Sequence, residues 1–258
     1  MLTKAQNYIL DSVGCTVVRN AISADLTQKA NAAIVSRFGE TLPHRFPILD
    51  LGAVFWDIMA LPAIRDICRT LCGDRYRLDH AVGLSSNSSK PNLHGGPLSS
   101  QSTCFITGVG ERVLYSQLTI GVTLRGQLKD DGGFCFIPGS HKSRYDADGH
   151  KLMAEVFDTM AEATYTPDLF EGDVVVFSES LVHGDRGLKI GASERRVLYY
   201  KFAPGFIAWR DPAQQLNRYG TYPRNDEERR LIAPPWSGRF DDYPGKPMPI
   251  GNQRRPPT

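Results

Sequence analysis

The residues that stand out first for their chemistry are His94 and the two glycines that follow it, in the segment Asn92-Leu93-His94-Gly95-Gly96-Pro97. On a β-strand the side chains of residues i and i+2 point to the same face, so His94 and position 96 are expected to aim at one point. A non-haem Fe(II) site built from two histidines and one carboxylate would have Asp or Glu at position 96. The sequence has Gly96 there, which predicts an iron site whose protein ligands do not include that carboxylate.

The composition limits what kind of protein can hold such a site. The 258 residues are 41% hydrophobic, which is enough to bury the core of one β-rich domain. The 30 basic and 28 acidic residues leave a net charge of +2, so bulk charge favours neither a nucleic-acid polymer nor a membrane surface as a partner. We therefore expect a single domain over residues 1–258, and a local basic patch for an anionic small molecule is compatible with this balance.

The cysteines and the apolar pattern bear on the cellular compartment. The chain has five cysteines, an odd number, and only Cys68 and Cys72 are closely spaced, within a helical pattern. We therefore expect reduced thiols and a cytoplasmic protein. The first residues lack a basic segment followed by an apolar run, and no stretch is long and apolar enough to span a bilayer. These patterns predict neither export nor a transmembrane helix.

Residues 1–75 are predicted to form a mainly helical support. Ser23 is a favourable N-cap for a helix that runs to Phe38 and ends at Gly39. A second helix is predicted from Leu61 or Pro62 to Leu71, with Gly73 as its C-cap.

The β-core is predicted over residues 76–205, where short strands alternate with glycine-containing turns. Strands are predicted at 76–84, 114–124, 174–177 and 195–202, with an earlier short strand at 14–19. Residues 99–110 are expected to form an irregular, mobile loop, and residues 146–163 a helix or lid with Leu152, Val156 and Met160 on one side. Residues 206–258 are rich in proline and are expected to form an irregular wrap. Many short strands predict a mainly β protein of the jelly-roll class.

Several sequence blocks occur in an order that resembles a known enzyme family. The blocks are Gly14-Cys15-Thr16-Val17-Val18-Arg19-Asn20, His94, Asp131-Gly132-Gly133-Phe134-Cys135-Phe136-Ile137-Pro138-Gly139-Ser140-His141-Lys142, Gly172-Asp173-Val174-Val175-Val176-Phe177, His183-Gly184 and Glu194-Arg195-Arg196. Together they resemble the phytanoyl-CoA dioxygenase family of Fe(II)/2-oxoglutarate oxygenases over roughly residues 10–210. The resemblance implies a double-stranded β-helix, a cupin-like jelly roll with flanking N-terminal helices, and Fe(II), 2-oxoglutarate and O2 as cofactors.

The same resemblance implies roles for individual residues. His94 and His183 would bind the iron, and Arg195 would hold the distal carboxylate of 2-oxoglutarate, as suits the rigid fork of a guanidinium. Arg196 is the neighbouring candidate, and strand alternation allows only one of the two arginines to face the pocket. His141 lies in a family block but follows a strand in a turn, so we expect it to be structural. His44, His80 and His150 have no ligand-like spacing.

Gly96 departs from the family pattern, which has His-x-Asp at this point. The sequence resembles in this respect the Fe(II)/2-oxoglutarate halogenases, in which a small residue leaves room for chloride on the iron. We therefore expect a halogenase, in which 2-oxoglutarate and O2 yield succinate and CO2 and a substrate radical takes chlorine. Two alternatives stand beside it: a hydroxylase that takes its carboxylate from elsewhere, Asp185 being a candidate, or a non-catalytic binding protein on the same barrel.

Further residues are candidates for holding the cosubstrate and the substrate. Gln117 and Thr119 alternate on a predicted strand and can hydrogen-bond 2-oxoglutarate or a water beside it, or simply be polar residues on one sheet face. Trp209 and Arg210 can cover the substrate mouth with an aromatic face and a cation. No carrier-protein docking signature is evident, so we expect a free small molecule as substrate, a phosphorylated nucleotide or nucleoside first and an amino acid or alkaloid next.

Overall fold

The computed structural model describes residues 1–86, 92–96, 104–109, 112–143 and 163–236, and these are mainly β. The strands are β1 Cys15–Val18, β2 Arg45–Phe46, β3 Arg77–Ser86, β4 Asn92–His94, β5 Ile106–Val109, β6 Arg112–Tyr115, β7 Leu118–Arg125, β8 Phe134–Phe136, β9 Val174–Ser178, β10 His183–Asp185 and β11 Arg195–Ala203. The helices are α1 Lys4–Val13, α2 Ala24–Phe38, α3 Ala53–Met59, α4 Pro62–Cys72, α5 Pro212–Tyr219 and α6 Asp226–Ile232.

Nine of the strands form two sheets that pack face to face, and β5 pairs with β6 as a separate two-stranded sheet. The large sheet has six strands in the order β1-β9-β7-β11-β3-β2, and the small sheet has three in the order β4-β10-β8. Phe134 and Phe136 of the small sheet share a buried cluster with Val175 and Phe177 of the large one. Antiparallel sheets closed on one another in this way confirm the predicted jelly roll.

The outer face of the large sheet is covered by the N-terminal helices. Successive side chains on β11 point to opposite faces, so Leu198, Tyr200 and Phe202 pack into the core under the helices while Tyr199 and Lys201 face the interior of the roll. The hydroxyl of Tyr200 donates to the carbonyl of Phe55 in α3 at 2.9 Å. The helices thus fix the sheet whose inner face lines the site.

The predicted helix ends are confirmed. The Ser23 hydroxyl accepts a hydrogen bond from the amide of Leu26 at the start of α2, and Gly39 follows its last residue. Helix α4 begins at Pro62 and ends at Cys72, with Gly73 as its C-cap.

Other parts of the prediction need correction. Within the predicted loop 99–110, residues 106–109 form strand β5, which pairs with β6. The predicted strand 114–124 is two strands, β6 and β7, separated by a bend at Ser116 and Gln117. The segment expected to be an irregular wrap contains α5 and α6. Strand β1 agrees with the short strand predicted at 14–19, whereas β2, which also joins the large sheet, was not predicted.

The predicted helix with Leu152, Val156 and Met160 lies outside the described residues. Among the residues that are described, no helix has the length and apolar character needed to cross a bilayer.

Candidate active site

The two histidines expected to bind iron lie side by side in the small sheet. Strands β4 and β10 pair so that His94 is directly opposite His183, and the two ring centroids are 4.4 Å apart. The Nδ1 of His183 lies 2.8 Å from the carbonyl oxygen of Leu181, to which it donates, and this leaves Nε2 as the nitrogen available to a metal. The side chain of His183 is buried, whereas His94 lies at the rim of the site with part of its surface exposed.

Both imidazoles are held neutral. The neighbouring His183 and burial lower the pKa of His94 to about 3. Burial also lowers the pKa of His183, against the opposing effect of the nearby Glu179. Because neutral imidazole is the form that binds a metal, both rings are ready to coordinate at neutral pH.

Gly96 is not placed as a continuation of the strand. Strand β4 ends at His94, and Gly95 and Gly96 have φ of +92° and +100°. The expectation that positions 94 and 96 alternate on one strand is therefore wrong, because the chain turns immediately after the histidine. Gly96 is buried, and among the described residues a Cβ added there would meet only the Cγ2 of Val182, at 3.4 Å. Position 96 thus has room for a small side chain but a backbone conformation that favours glycine.

A carboxylate that the sequence did not single out lies close to the histidine pair. Glu179 follows β9 and is buried, with Oε1 3.9 Å from the Nε2 of His183. Its carboxylate pairs with the Nζ of Lys201 at 2.7 Å and accepts a hydrogen bond from the hydroxyl of Thr119. Burial alone would raise the pKa of Glu179, but Lys201, His183 and Thr119 together lower it, so the group is ionised.

The sequence contains part of the information needed to predict the cluster of Glu179, Lys201 and Thr119. Glu179 comes directly after a buried strand and four residues before His183, which places it in the connection between β9 of the large sheet and β10 of the small sheet. Its partner Lys201 lies opposite Thr119 in the β11–β7 register, and that register cannot be obtained from one sequence.

The two candidate arginines point to opposite faces of β11. The guanidinium of Arg195 is buried and bonds Asp185 at 2.5 Å and the hydroxyl of Tyr199 at 3.2 Å, and both partners line the cavity beside His183. Arg196 instead donates to the amide oxygen of Asn31 in α2 at 2.7 Å and to Glu194. Of the two, only Arg195 is therefore directed into the roll.

Arg195 also has spare hydrogen-bonding capacity. Its Nε is buried and has no hydrogen-bond partner among the described residues. Burial alone would lower its pKa, but Tyr199 and Asp185 raise it, so the guanidinium is always charged. A buried, charged donor with an unused N–H is what a carboxylate of 2-oxoglutarate requires, although Asp185 competes for the same fork.

We expect Arg195→Ala to weaken 2-oxoglutarate binding far more than Arg196→Ala. Truncating one partner of a buried charged pair costs about 2 to 5 kcal/mol, which is roughly 30-fold or more in affinity. Titration calorimetry of both variants with 2-oxoglutarate under anaerobic conditions measures the difference, with circular dichroism to compare their folding. Equal losses, or a larger loss in Arg196→Ala, would move the anchor to Arg196.

Gln117 and Thr119 both reach the site, but in different ways. Thr119 contacts Glu179, as described above, and so stands beside the histidines rather than beside Arg195. The side-chain oxygen of Gln117 accepts from the thiol of Cys104 at 3.2 Å, and its backbone carbonyl accepts from the amide of Glu179. The Nε2 of Gln117 is buried with no hydrogen-bond partner among the described residues, so it has a donor to offer a ligand.

Trp209 and Arg210 are held at the mouth of the site by Asp79. This carboxylate is fully buried and accepts from the amides of Trp209 at 2.8 Å and Arg210 at 3.3 Å. It also bonds the ring of His80, which stacks on Trp209 with centroids 5.6 Å apart. The Arg77 guanidinium, itself buried, compensates the charge of Asp79.

The remaining histidines lie outside the pair. His141 is buried against the carbonyl of Asp11, His44 contacts the carbonyl of Ser85, and His150 is outside the described residues. Within the described part of the chain, no group of three or more His, Cys, Asp and Glu side chains is arranged to hold a metal ion. The geometry thus brings two imidazoles together without a third protein ligand in place.

Solved structures share this fold. HygX from Streptomyces hygroscopicus with nickel and 2-oxoglutarate bound is 22% identical, with 81% of this chain and 90% of that chain covered and a TM-score of 0.69. EctD from S. alaskensis with bound Fe is 18% identical, with 79% and 77% covered and a TM-score of 0.61. No protein-family model and no curated protein matches the chain. The likeness establishes the fold.

Proposed function

We propose that this protein is an Fe(II)/2-oxoglutarate-dependent oxidoreductase acting on a small molecule. The observation that carries the proposal is the pair of neutral imidazoles, His94 and His183, held opposite each other within one sheet, with Arg195 buried in the same roll. Structures of the same fold have been solved with iron bound, with nickel and 2-oxoglutarate bound, and with hygromycin B or 5-hydroxyectoine present. These ligands support the cofactors and the substrate class that we propose.

The residues present fit these cofactors. His94 and the Nε2 of His183 would hold the iron, and Arg195 with the Tyr199 hydroxyl would hold the distal carboxylate of 2-oxoglutarate. When bound, iron and 2-oxoglutarate would use O2 to supply the oxidant that removes a hydrogen atom from an unactivated C–H bond. The apolar wall that Phe134 and Phe177 form beside His183 would limit water at the site.

We further propose that the reaction is chlorination. Gly96 supplies no carboxylate, and an anion would complete the iron site in place of that third ligand. The two nearest carboxylates are both engaged elsewhere, Glu179 with Lys201 and Asp185 with Arg195. On this proposal the enzyme's own contribution is to position the substrate so that its radical meets chloride rather than hydroxide.

Hydroxylation is the second candidate, and one distance favours it. Atoms bound to one metal at about 2.0 to 2.2 Å lie roughly 3 Å from each other, and Glu179 is already within 3.9 Å of His183. A modest rotation would bring its carboxylate to the iron if Lys201 released it. Asp185 is the other available acid, two residues beyond His183 on β10.

Glu179→Gln and Asp185→Asn separate the two candidates. If chloride completes the iron site, neither variant should lose more Fe(II) affinity than the roughly 10- to 100-fold that the loss of a group beside a ligand causes, because neither carboxylate is a ligand. We also expect Asp185→Asn to bind 2-oxoglutarate more tightly, since it removes the carboxylate that competes for Arg195. Anaerobic titrations of the folded variants with Fe(II) and with 2-oxoglutarate measure the two effects. A loss of iron affinity beyond about 100-fold in one variant would identify that carboxylate as the missing ligand.

The direct test is anaerobic reconstitution with Fe(II), 2-oxoglutarate and chloride, followed by exposure to O2 with a panel of metabolites. Mass spectrometry should detect a product that has gained one chlorine in place of one hydrogen. A product that has gained only oxygen, at a rate independent of halide, would favour the hydroxylase. A chain that binds neither iron nor 2-oxoglutarate would be a binding protein on the same fold.

A further inference from the structure

A cationic cleft extends outward from the histidine pair. The mouth next to His94 is lined by Arg45, His80, Lys201 and Arg210, and it continues into an outer cleft that Arg45, His80 and Arg210 also line. Arg218 also lines the outer cleft and pairs with Asp50 at 3.7 Å. This concentration of positive charge contrasts with a chain whose net charge is only +2.

Arg45 is placed in the cleft by the sheet itself. It is the first residue of β2 and lies opposite Leu84 of β3, at the edge of the large sheet. Its side chain is exposed and forms no ion pair with another described residue, yet it lines the cavity beside His183, the mouth and the outer cleft alike.

Arg210 also lines both the mouth and the outer cleft. Its backbone is fixed by Asp79, and its guanidinium lies over the Trp209 ring at 5.6 Å from the centroid. It too forms no ion pair with the described residues. The aromatic contact orients the guanidinium without neutralising it, so its N–H groups remain available at its edge.

Two of the three carboxylates that line the mouth and the outer cleft are already paired. Asp79 is compensated by Arg77 and bonds His80, and Glu179 is paired with Lys201. Asp211 lines the outer cleft and caps helix α5, where it accepts from the amide of Ala213. Arg45 and Arg210 form no ion pair among the described residues, and like charges that line one cleft attract an oxyanion.

We propose that Arg45 and Arg210 bind an oxyanion of the substrate, a phosphate monoester or a carboxylate, while the C–H bond to be oxidised lies at His94 and His183. The assignment of the reacting end rests on the proposed function, but the anion site does not. Lys201 contributes less, because Glu179 holds it. Such an anchor would use a charged group remote from the reacting carbon to orient that carbon, which is the positioning that a halogenase requires.

The test compares three aromatic probes that differ in charge and anion type: phenyl phosphate, benzoate and benzyl alcohol. Binding to the full-length protein is measured by ligand-observed NMR, with and without added Fe(II) and 2-oxoglutarate. At least one anion should bind, more weakly as salt rises, and benzyl alcohol should bind weakly or not at all. Comparison of phenyl phosphate with benzoate distinguishes the two oxyanions.

Single substitutions of arginines show where the probe anion binds. Arg45→Gln and Arg210→Gln should each weaken binding of the preferred anion by about tenfold, the effect of losing one charge-assisted hydrogen bond. The control Arg69→Gln removes an exposed arginine at the end of α4 and should have no effect. Arg195→Ala should retain the probe, because that arginine is assigned to the cosubstrate.

The outcomes separate this proposal from the proposed function. If the anion binds through Arg45 and Arg210 but the chain binds no iron, the anion site stands and the assigned chemistry fails. If the anion is lost only in Arg195→Ala, it occupies the cosubstrate site, and the proposal is overturned. It is overturned equally if none of the three probes binds or if benzyl alcohol binds as well as the anions.

Discussion

His183→Ala should abolish Fe(II) binding and, with it, turnover of 2-oxoglutarate. The protein supplies two imidazoles and no third ligand in place among the described residues, so loss of either leaves a single metal-binding side chain. Even changes to groups that only support a ligand reduce metal affinity roughly 10- to 100-fold, and removal of a ligand from a two-ligand site should exceed about 100-fold. His94→Ala should behave in the same way.

The measurement is an anaerobic Fe(II) titration, with succinate release as the activity readout. His183 packs against Phe177 at 4.6 Å between ring centroids, so its truncation will also loosen the roll. His141→Ala is the matched control, because it removes another buried histidine, bonded to Asp11, away from the site. It should lose stability yet keep iron. Wild-type iron affinity in either His94→Ala or His183→Ala would disprove the metal site.

Much of the scaffold is encoded in local signals. The helix ends at Ser23, Gly39 and Gly73 depend on backbone groups within one turn, so residue type predicts them. The buried run Val174–Phe177 forms β9 because an apolar strand must be covered on both faces. Alternation along β11 likewise suffices to send Arg195 and Arg196 to opposite faces of the sheet.

Helix α1 is encoded just as locally, although it was not among the predicted helices. Thr3 and Gln6 form a reciprocal capping box at its start, and Gly14 ends it with φ of +90°. The spacing of Thr3 and Gln6 is the usual sequence pattern of a helix start. Residue type alone therefore suffices to predict α1.

The parts of the site that were not predicted depend on contacts between residues distant in sequence. Thr119 and Glu179 are separated by 60 residues, and Asp79 reaches Trp209 across 130. Each such contact requires the register of several strands, which a single sequence does not determine. The position of Arg45 could not be predicted for the same reason. Its strand β2 has only two residues, and it is placed by pairing with β3.

Gly96 was assigned to the site through an incorrect local geometry. Strand alternation predicts it beside His94, yet both Gly95 and Gly96 have positive φ. The turn rather than the strand determines the direction in which a side chain at position 96 would point. Substitutions at this position must therefore separate the effect of a carboxylate from the effect of backbone strain.

Gly96→Asp should eliminate chlorination, and Gly96→Ala is the control that shows why. Both variants force an L-residue into a conformation with φ of +100°, at a cost of about 1 to 3 kcal/mol, but only the aspartate adds a charge. Among the described residues, a Cβ at this position meets only Val182 at 3.4 Å, so there is room for the alanine methyl group. We expect Gly96→Ala to lose stability and keep its response to chloride.

The response to chloride is measured in the visible spectrum of the anaerobic Fe(II)/2-oxoglutarate complex and in the product formed after O2 is added. Chloride should shift the spectrum of the wild type and of Gly96→Ala, whereas the carboxylate of Gly96→Asp repels or replaces the anion and should leave the spectrum unchanged. Hydroxylated product should appear in Gly96→Asp only if the new carboxylate reaches the iron at the roughly 2.0 to 2.2 Å typical of metal–oxygen bonds. Full wild-type turnover without any halide, with a hydroxylated product alone, would refute chlorination and direct attention to Glu179 and Asp185 as the source of the third ligand.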